Sequence, residues 1–128
     1  MTNTTHLEID QGLCGTIVSQ KEGFCQIRLT TQVIMRADAK GLVHGGFVFG
    51  MADYAAMCAV NHPHVVLGAS EIRFLKPVVA GDTLDAFAEV KEADQKKREV
   101  KVTVRRREEC VFEGHFTCFV LPGHVLEL

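Results

Sequence analysis

The architecture follows from one segment near the middle of the chain, GGFVFGMADYAAMCAV at residues 45–60. The segment is apolar on every face, and a helix of that kind must be buried on all sides. Pro63 cannot continue a helix and Asn61 is a reasonable terminal residue, so NHPH at 61–64 is predicted to end it. The rest of the chain must therefore supply a cover for one buried helix.

The segments on either side of this helix show the patterns of strands. Before the helix we predict two strands, at 13–19 and 24–30, with a turn between them at 21–23. A loop is predicted at 33–43. After it come four strand-like runs, at 65–67 continuing into 69–75, 83–91, 99–107 and 110–121. Since one helix cannot cover both faces of a sheet, we expect an α+β fold in which a curved antiparallel sheet wraps around the helix. The other face of the sheet is expected to show Lys and Arg to solvent or to a partner.

Length and composition restrict the class of protein. A chain of 128 residues corresponds to a single domain, 1–128, and 47% hydrophobic residues exclude disorder. The net charge of −2 argues against a nucleic-acid partner. Five cysteines, an odd number without a C-x-x-C pair, are interpreted as reduced thiols. The start is no signal peptide and residues 42–60 make no membrane span, so we expect a cytoplasmic protein without a membrane partner.

Asp53 is the only charged residue between Gly45 and Val60. A buried carboxylate without a partner is costly, and it responds by a shifted pKa or by finding a partner. One interpretation is a structural hydrogen bond to the backbone or to a neighbour. The other is a nucleophile or general base whose pKa is set by its apolar surroundings.

His44, Gly45 and Gly46 stand at the start of the predicted helix. Two glycines there cost roughly 1 kcal/mol each relative to alanine, which makes sense if another group must approach the backbone closely. A helix start also offers free N–H groups to a polarised carbonyl or a developing oxyanion. Close packing of the helix start against a strand is the alternative. For His44 we favour a positioning or packing role over proton transfer.

Two stretches now carry a resemblance to a known family. DAKGLVHGGFVFGMADYAA, residues 38–56, resembles the signature of hotdog-fold acyl-CoA thioesterases, especially the phenylacetate-pathway (PaaI-like) group, with His44 and Asp53 at the family spacing. ASEIRFLKPVVAGDTLDAFAEV, residues 69–90, is similar to the second stretch of that family. The resemblance implies the hotdog fold, with the long helix inside the curved sheet.

The resemblance also implies roles for individual residues. Asp53 would act as nucleophile or as base for water, and the N–H of Gly45 would bind the thioester oxygen. An asparagine of the family that helps to place the water falls at Asp38 here. An ionised Asp cannot donate a hydrogen bond, so Asp38 is a second base, a protonated donor or part of a surface loop. No metal or bound cofactor is expected.

The spacing of the two main candidates predicts an oligomer. Gly45 and Asp53 are eight residues apart, about 12 Å along a helix at 1.5 Å per residue. Both groups must lie within a few ångströms of one thioester, which a single helix does not allow. We therefore expect a homodimer or a dimer of dimers with each site shared between subunits, as the resemblance also implies.

Substrate contacts are predicted on both sides of this centre. Gly46 and Phe47 are expected to contact the substrate, Gly46 beside Gly45 at the carbonyl and Phe47 as core or pocket lining. Arg73 and Lys76 are candidates for the phosphates of coenzyme A, and so is the basic run within 96–107, whose simpler interpretation is a solvated sheet face and turn. His62 and His64, which flank a proline, are interpreted as surface residues.

The resulting prediction is a cytoplasmic acyl-CoA thioesterase acting on a small or medium acyl-CoA. One alternative is a hotdog hydratase or dehydratase that uses Asp38 and His44 as its acid–base pair, although the Gly-Asp-x-Asn-Pro signature is absent. A second is a non-catalytic acyl-CoA sensor, because GLVHGG and FLKPVVAGD also resemble the ligand domain of the malonyl-CoA-responsive lipid-synthesis repressor. The sequence does not name the acyl group.

Overall fold

A computed structural model describes all residues, 1–128. It contains two α-helices and six strands, in the order α1 (Gln11–Cys14), β1 (Thr16–Lys21), β2 (Phe24–Thr30), α2 (Gly45–Val60), β3 (Val65–Phe74), β4 (Thr83–Ala93), β5 (Lys97–Arg106) and β6 (Glu109–Val120). Short 3-10 turns lie at Val33–Met35 and Val125–Glu127. The bounds of α2 agree with those predicted from the sequence. No helix combines the length and the apolar run needed to cross a bilayer.

The six strands form one antiparallel sheet in the order β1-β2-β4-β5-β6-β3. Every strand contacts α2. Six strands spaced about 4.8 Å apart are roughly 24 Å wide, more than twice the width of a helix, so the sheet must curl around α2 to reach it with every strand. This confirms the predicted α+β architecture of a curved sheet around one buried helix. β1 and β3 are the edge strands.

Small residues let α2 lie close to the sheet. Four alanines of the helix are buried, and they share the core with two alanines of β4: Ala52, Ala55, Ala56 and Ala59, with Ala86 and Ala88. Larger side chains from β5 and β6 complete the packing, with Phe112 and Phe116 fully buried. The helix is therefore held by close contact along its C-terminal half.

The C-terminal end of α2 is closed by the first residues of the chain. Asn61 ends the helix in the left-handed conformation, with φ 53° and ψ 58°. Its Oδ1 accepts hydrogen bonds from the amide and the hydroxyl of Thr4, at 2.8 and 3.0 Å, and its Nδ2 donates to the carbonyl of Thr2. Gln20 of β1 donates to Asn3 and to the carbonyl of Cys58.

The fold departs from the sequence-based prediction in three places. Residues 13–15 are not part of a strand, because Asp10 accepts a hydrogen bond from the amide of Leu13 and starts the short helix α1. β3 continues through the predicted gap by means of a bulge at Gly68. The predicted surface residues His62 and His64 are half-buried, and Nδ1 of His64 is buried without a hydrogen-bond partner.

Candidate active site

The N-terminal end of α2 offers free backbone donors. The helix begins at Gly45, directly after the N-cap residue His44, which has an extended backbone and makes no capping hydrogen bond with its side chain. The amides of Gly45 and Gly46 donate to no group of the protein. Because these amides point out along the positive end of the helix dipole, they can stabilise a developing oxyanion.

A cavity of about 310 Å³ opens beside this helix start. Seven of its ten lining residues are hydrophobic, and Lys76 is the only charged one. The lining residues are Leu42, Val43, Gly45, Val48, Phe74, Leu75, Lys76, Pro77, Val78 and Val111. The structure thus brings two predicted site residues, Gly45 and Lys76, to the same apolar cavity.

Phe74 is, of the cavity residues that the sequence did not predict, the one in contact with Gly45. Its ring lies so close to Gly45 that a Cβ on the glycine would be 3.0 and 3.1 Å from two ring atoms. The ring packs edge-on against Phe112, with centroids 5.3 Å apart, yet the residue is 55% exposed. The close-packing interpretation of the first glycine is therefore observed. The sequence signal was an aromatic residue at the end of a strand, beside the predicted Lys76.

His44 packs on the first turn of α2. A Cβ on Gly46 would lie 3.2 Å from Cδ2 and 3.3 Å from Nε2 of the imidazole, and the imidazole meets the Phe47 ring edge-on at 6.2 Å between centroids. Phe47 is half-buried and packs against the core. His44 is exposed and makes no side-chain hydrogen bond, so its contacts fit the positioning role predicted for it.

Asp53 lies two turns further along α2. Its Oδ1 is buried and has no hydrogen-bond partner, so the structural hydrogen bond considered above is not formed by this oxygen. Burial raises the pKa of its carboxyl from 3.8 to about 6. At neutral pH the group is therefore mostly ionised although it is poorly solvated, which is the condition of a reactive carboxylate. Eight residues of one helix separate it from Gly45, about 12 Å along the axis.

Asp38 closes a loop ahead of α2. Its Oδ1 accepts hydrogen bonds from the amides of Lys40 and Leu42, at 2.9 and 3.2 Å, and the loop passes through Gly41 with φ 88°. Asp38 makes no hydrogen bond with His44, so the acid–base pair of a hydratase is not formed within this protomer. Of the three possibilities for Asp38, the loop position is the one that its observed hydrogen bonds explain.

Arg73 is not brought to the cavity. It lies on the outer face of β3, opposite Glu113 of β6, whereas the adjacent Phe74 points to the helix side. The outer face of the sheet carries acidic as well as basic side chains. The Lys and Arg residues expected there are therefore present, but Glu residues lie among them. The basic run also divides, because 96–98 and 105–107 lie at opposite ends of β5, roughly 30 Å apart at 3.4 Å per residue.

Comparison with known proteins identifies the family of this chain. The family model described as "Thioesterase superfamily" matches residues 40–111, which include the α2 start, Asp53 and the cavity wall. This chain belongs to the thioesterase superfamily. The solved structure of the E. coli PaaI protein, from the phenylacetic acid degradation operon, is 28% identical with a TM-score of 0.81, and the match covers 89% of this chain and 84% of that one. The hotdog fold and the PaaI-like group are thereby confirmed.

Further relatives differ in what their names describe. A crystal structure of an uncharacterized Pyrococcus horikoshii protein is 52% identical, with a TM-score of 0.97 and coverage of 98% and 97%. A methylthioribose-1-phosphate isomerase of Aquifex aeolicus is 51% identical over 91% of this chain but only 26% of its own length. The acyl-coenzyme A thioesterase PaaI of E. coli is 39% identical over 59% and 54% of the two chains. A transcription factor FapR of Caldanaerobacter subterraneus is 31% identical over 67% and 43%.

This chain therefore spans about a quarter to about half of the curated relatives that it matches. The isomerase name belongs to a protein most of which has no counterpart here. The function of this chain must be argued from its own site.

Proposed function

We propose that this protein hydrolyses the thioester of a small or medium acyl-CoA, with Asp53 as nucleophile or general base and the Gly45 amide as oxyanion donor. The observation that carries the proposal is the buried, unpaired Oδ1 of Asp53, whose carboxyl has a pKa of about 6. Such a group is ionised at neutral pH and keeps few hydrogen bonds to lose on reacting, which suits attack on a carbonyl carbon.

Both roles of Asp53 lead to the same products. As general base, the carboxylate takes a proton from water while the water oxygen bonds to the thioester carbon. As nucleophile, it bonds to that carbon itself, and water later cleaves the mixed anhydride. In either case the carbonyl oxygen becomes an oxyanion that the amides of Gly45 and Gly46 stabilise, and it returns to a carbonyl as the C–S bond breaks. The departing thiolate of coenzyme A takes a proton, from the Asp53 carboxyl in the general-base route and from solvent in the nucleophile route, so both routes give a carboxylic acid and the thiol. His44 orients this helix start, and Asp38 shapes the loop before it.

Two subunits are proposed to build each site. In one protomer Gly45 and Asp53 are separated by about 12 Å of helix, too far to act on one carbonyl. β3 is an edge strand whose free N–H and C=O groups are available to a second copy. Its end is flanked by exposed apolar residues, Leu42, Phe74, Leu75 and Val79, and such a patch is typical of an interface.

Coenzyme A is proposed to enter past the cavity rim. Lys76 is exposed there and is the one cation on an otherwise apolar wall, which suits a phosphate group. Phe47 and Gly46 stay proposed acyl contacts next to the helix start. Arg73 stays a proposed phosphate contact on the outer side of the same edge strand. The acyl chain would lie along the apolar side chains of the cavity.

The test is thiol release from a panel of acyl-CoAs, from acetyl to palmitoyl with phenylacetyl, hydroxybenzoyl and malonyl esters. We expect Asp53→Asn to lower kcat by about 10² to 10⁴, the usual contribution of a general base. The wild-type rate should rise with pH through about 6, because the ionised carboxylate is the active form. Asp94→Asn, in the exposed turn between β4 and β5, is the matched control. Turnover by Asp53→Asn at the wild-type rate would reject the assignment.

A second candidate is an acyl-CoA sensor without catalysis. The observation that favours it is the match to the transcription factor FapR, which covers two thirds of this chain. The same panel separates the two functions, because a sensor binds an acyl-CoA tightly and releases no thiol. An enzyme releases thiol in the wild type and loses that release in Asp53→Asn.

A further inference from the structure

The loop between β3 and β4, residues 75–82, forms one wall of the cavity at the start of α2. We call it the wall loop. Its first four residues line the cavity, Lys76 among them. The carbonyl of Val78 accepts a hydrogen bond of 2.8 Å from the amide of Val43, the residue before the N-cap of α2. The position of this loop therefore sets the width of the cavity in front of the free amides.

Arg106, the last residue of β5, holds the wall loop from the side away from the cavity. Its Nη1 donates to the carbonyl oxygen of Pro77, at 2.8 Å, and to Oδ2 of Asp82, at 2.9 Å. Its Nη2 contacts the carboxylate of Glu109 on β6. The side chain is only 26% exposed. One guanidinium thus joins the beginning and the end of the loop to the hairpin of β5 and β6.

Asp82 continues the same hydrogen-bond network into the loop. Its Oδ2 accepts from the amide of Val79 at 3.0 Å, and its amide donates back to the carbonyl of Val79 at the same distance. Its carbonyl accepts from the amide of Thr31, which anchors it beside β2. The loop is therefore fixed at Asp82 whatever its other end does, and Arg106 is what couples that fixed point to Pro77.

The contacts of Arg106 distinguish it from its neighbours in the basic run. Three of its five N–H donors bond to Pro77, Asp82 and Glu109. Two of these partners are carboxylates, so little positive charge is left for a phosphate. Arg105, next to it, is exposed and bonds only to the carbonyl of Glu108 in its own hairpin. A planar guanidinium can serve acceptors in different directions at fixed geometry, whereas a lysine ammonium is a single point of charge.

We propose that Arg106 is a positioning residue of the acyl-CoA site, which holds the wall loop, and with it Lys76, at the distance from α2 that the bound substrate requires. This inference rests on the proposed function, because the cavity must be the place where acyl-CoA binds. Loss of the guanidinium frees the carbonyl of Pro77, while Lys76 and Val78 on either side of it keep their backbone hydrogen bonds to Val111 and Val43. The cavity wall is then less firmly held between these two points, and binding weakens before chemistry does.

The experiment compares Arg106→Gln, Arg106→Lys, Asp82→Asn and the control Arg28→Gln, in which an exposed arginine of β2 loses its ion pair with Asp85. Affinity for two thioether analogues, hexyl-CoA and benzyl-CoA, is measured by calorimetry, and kcat and KM are measured with the best ester of the panel. We expect Arg106→Gln to raise Kd and KM about tenfold and to change kcat less than threefold. Arg106→Lys should recover part of the loss. Arg28→Gln should match the wild type.

The pairing with Asp82 gives a further check. Asp82→Asn should weaken binding in the same direction but by less, because Arg106 keeps its bond to Pro77. The double variant Arg106→Gln/Asp82→Asn should bind no worse than Arg106→Gln alone, since Arg106→Gln already removes the link to Asp82. Thermal melts at the assay pH identify any variant that fails to fold, and for such a variant the lysine substitution decides. Unchanged Kd in folded Arg106→Gln, or an equal loss in Arg28→Gln, would overturn the inference.

The two proposals fail in different ways. Wild-type protein that binds the analogues but releases no thiol refutes hydrolysis, and the Kd values still decide the role of Arg106. Wild-type protein that hydrolyses esters while Arg106→Gln keeps its KM refutes only the role of Arg106. Wild-type protein that neither binds nor hydrolyses refutes both.

Discussion

The N-terminal end of α2 has two glycines whose amides make no hydrogen bond, and it lies beside the half-exposed ring of Phe74. The C-terminal half of the same helix is buried through its alanines, and the first residues of the chain close its end at Asn61. One helix therefore carries an open end that is available to a ligand and a sealed end that holds the fold. Asp53 lies between them, on the border of the sealed part. Packing and the proposed chemistry are therefore divided along the axis of one helix.

The largest expected effect on stability concerns Asp53, which lies between the two ends of the helix. Burial raises the pKa of Asp53 from 3.8 to about 6, so the folded state holds this proton more tightly than the unfolded state does. The resulting stability is complete below the unfolded pKa and is lost as the pH rises through about 6. Asp53→Asn does not titrate, so it should be more stable than the wild type at pH 8 by up to about 3 kcal/mol, at 1.36 kcal/mol per unit.

Denaturant unfolding at fixed protein concentration, at pH 4 and pH 8, measures this difference. The two proteins should be nearly equal at pH 4 and should separate towards pH 8. An Asn variant that is no more stable at pH 8 would show that the carboxylate finds a hydrogen-bond partner in the assembled protein. Asp53 would then have a structural role, like the residues at the closed C-terminal end of the helix.

A smaller effect is expected at the closed end. Asn61→Ala loses the bonds to Thr4 and Thr2 and leaves an alanine in the left-handed conformation, which should cost about 2 kcal/mol of unfolding free energy. Asn61→Gly keeps that conformation without strain and should lose only about half as much. Thermal melts give the stabilities, and kcat measured well below the midpoint should stay at the wild-type value. A fall in kcat would break the division between the two ends.

The smallest effect on stability is expected at the open end of the helix, where a substitution should stabilise the protein rather than destabilise it as Asn61→Ala does. A Cβ on Gly50 would meet no atom within 4 Å, so Gly50→Ala should raise stability by about 0.5 to 1 kcal/mol through helix propensity alone. Gly45→Ala is the matched contrast, because its Cβ would press on the Phe74 ring. Melting temperatures of the two variants are compared with the wild type. A destabilised Gly50→Ala would place the backbone of a second copy against this turn.

Much of the fold was predictable because its signals are local. The glycines at 45–46 and Pro63 bracket α2, and the alternation in β5 gives a strand with Val100, Val102 and Val104 inside. α1 was missed because four residues carry no periodicity and their conformation depends on one cap from Asp10. The bulge at Gly68 was missed because it depends on a residue far away in the sequence. A Cβ at position 68 would overlap the ring of Phe119.

The candidate site was predictable only in part, for the same reason. Asp53 stood out because its charge is alone in an apolar segment, and Gly45 because a glycine at a helix start needs an explanation. The wall around them depends on contacts between elements far apart in sequence. Phe74 meets Gly45 across about thirty residues, and Arg106 bonds to Pro77 across a similar distance. Inside a run of charged residues, nothing in the sequence separates Arg106 from Arg105.

The cysteines give the molecule a built-in reporter. Cys25, Cys58 and Cys118 are buried in the core, and burial raises the pKa of Cys118 to about 12, whereas Cys14 and Cys110 are half-buried. A thiol reagent added to the native protein can therefore reach two sulfurs at once and the other three only when the sheet and helix separate. The labelling rate of those three sulfurs therefore measures how often the core opens, and the measurement needs no attached fluorophore and no substitution.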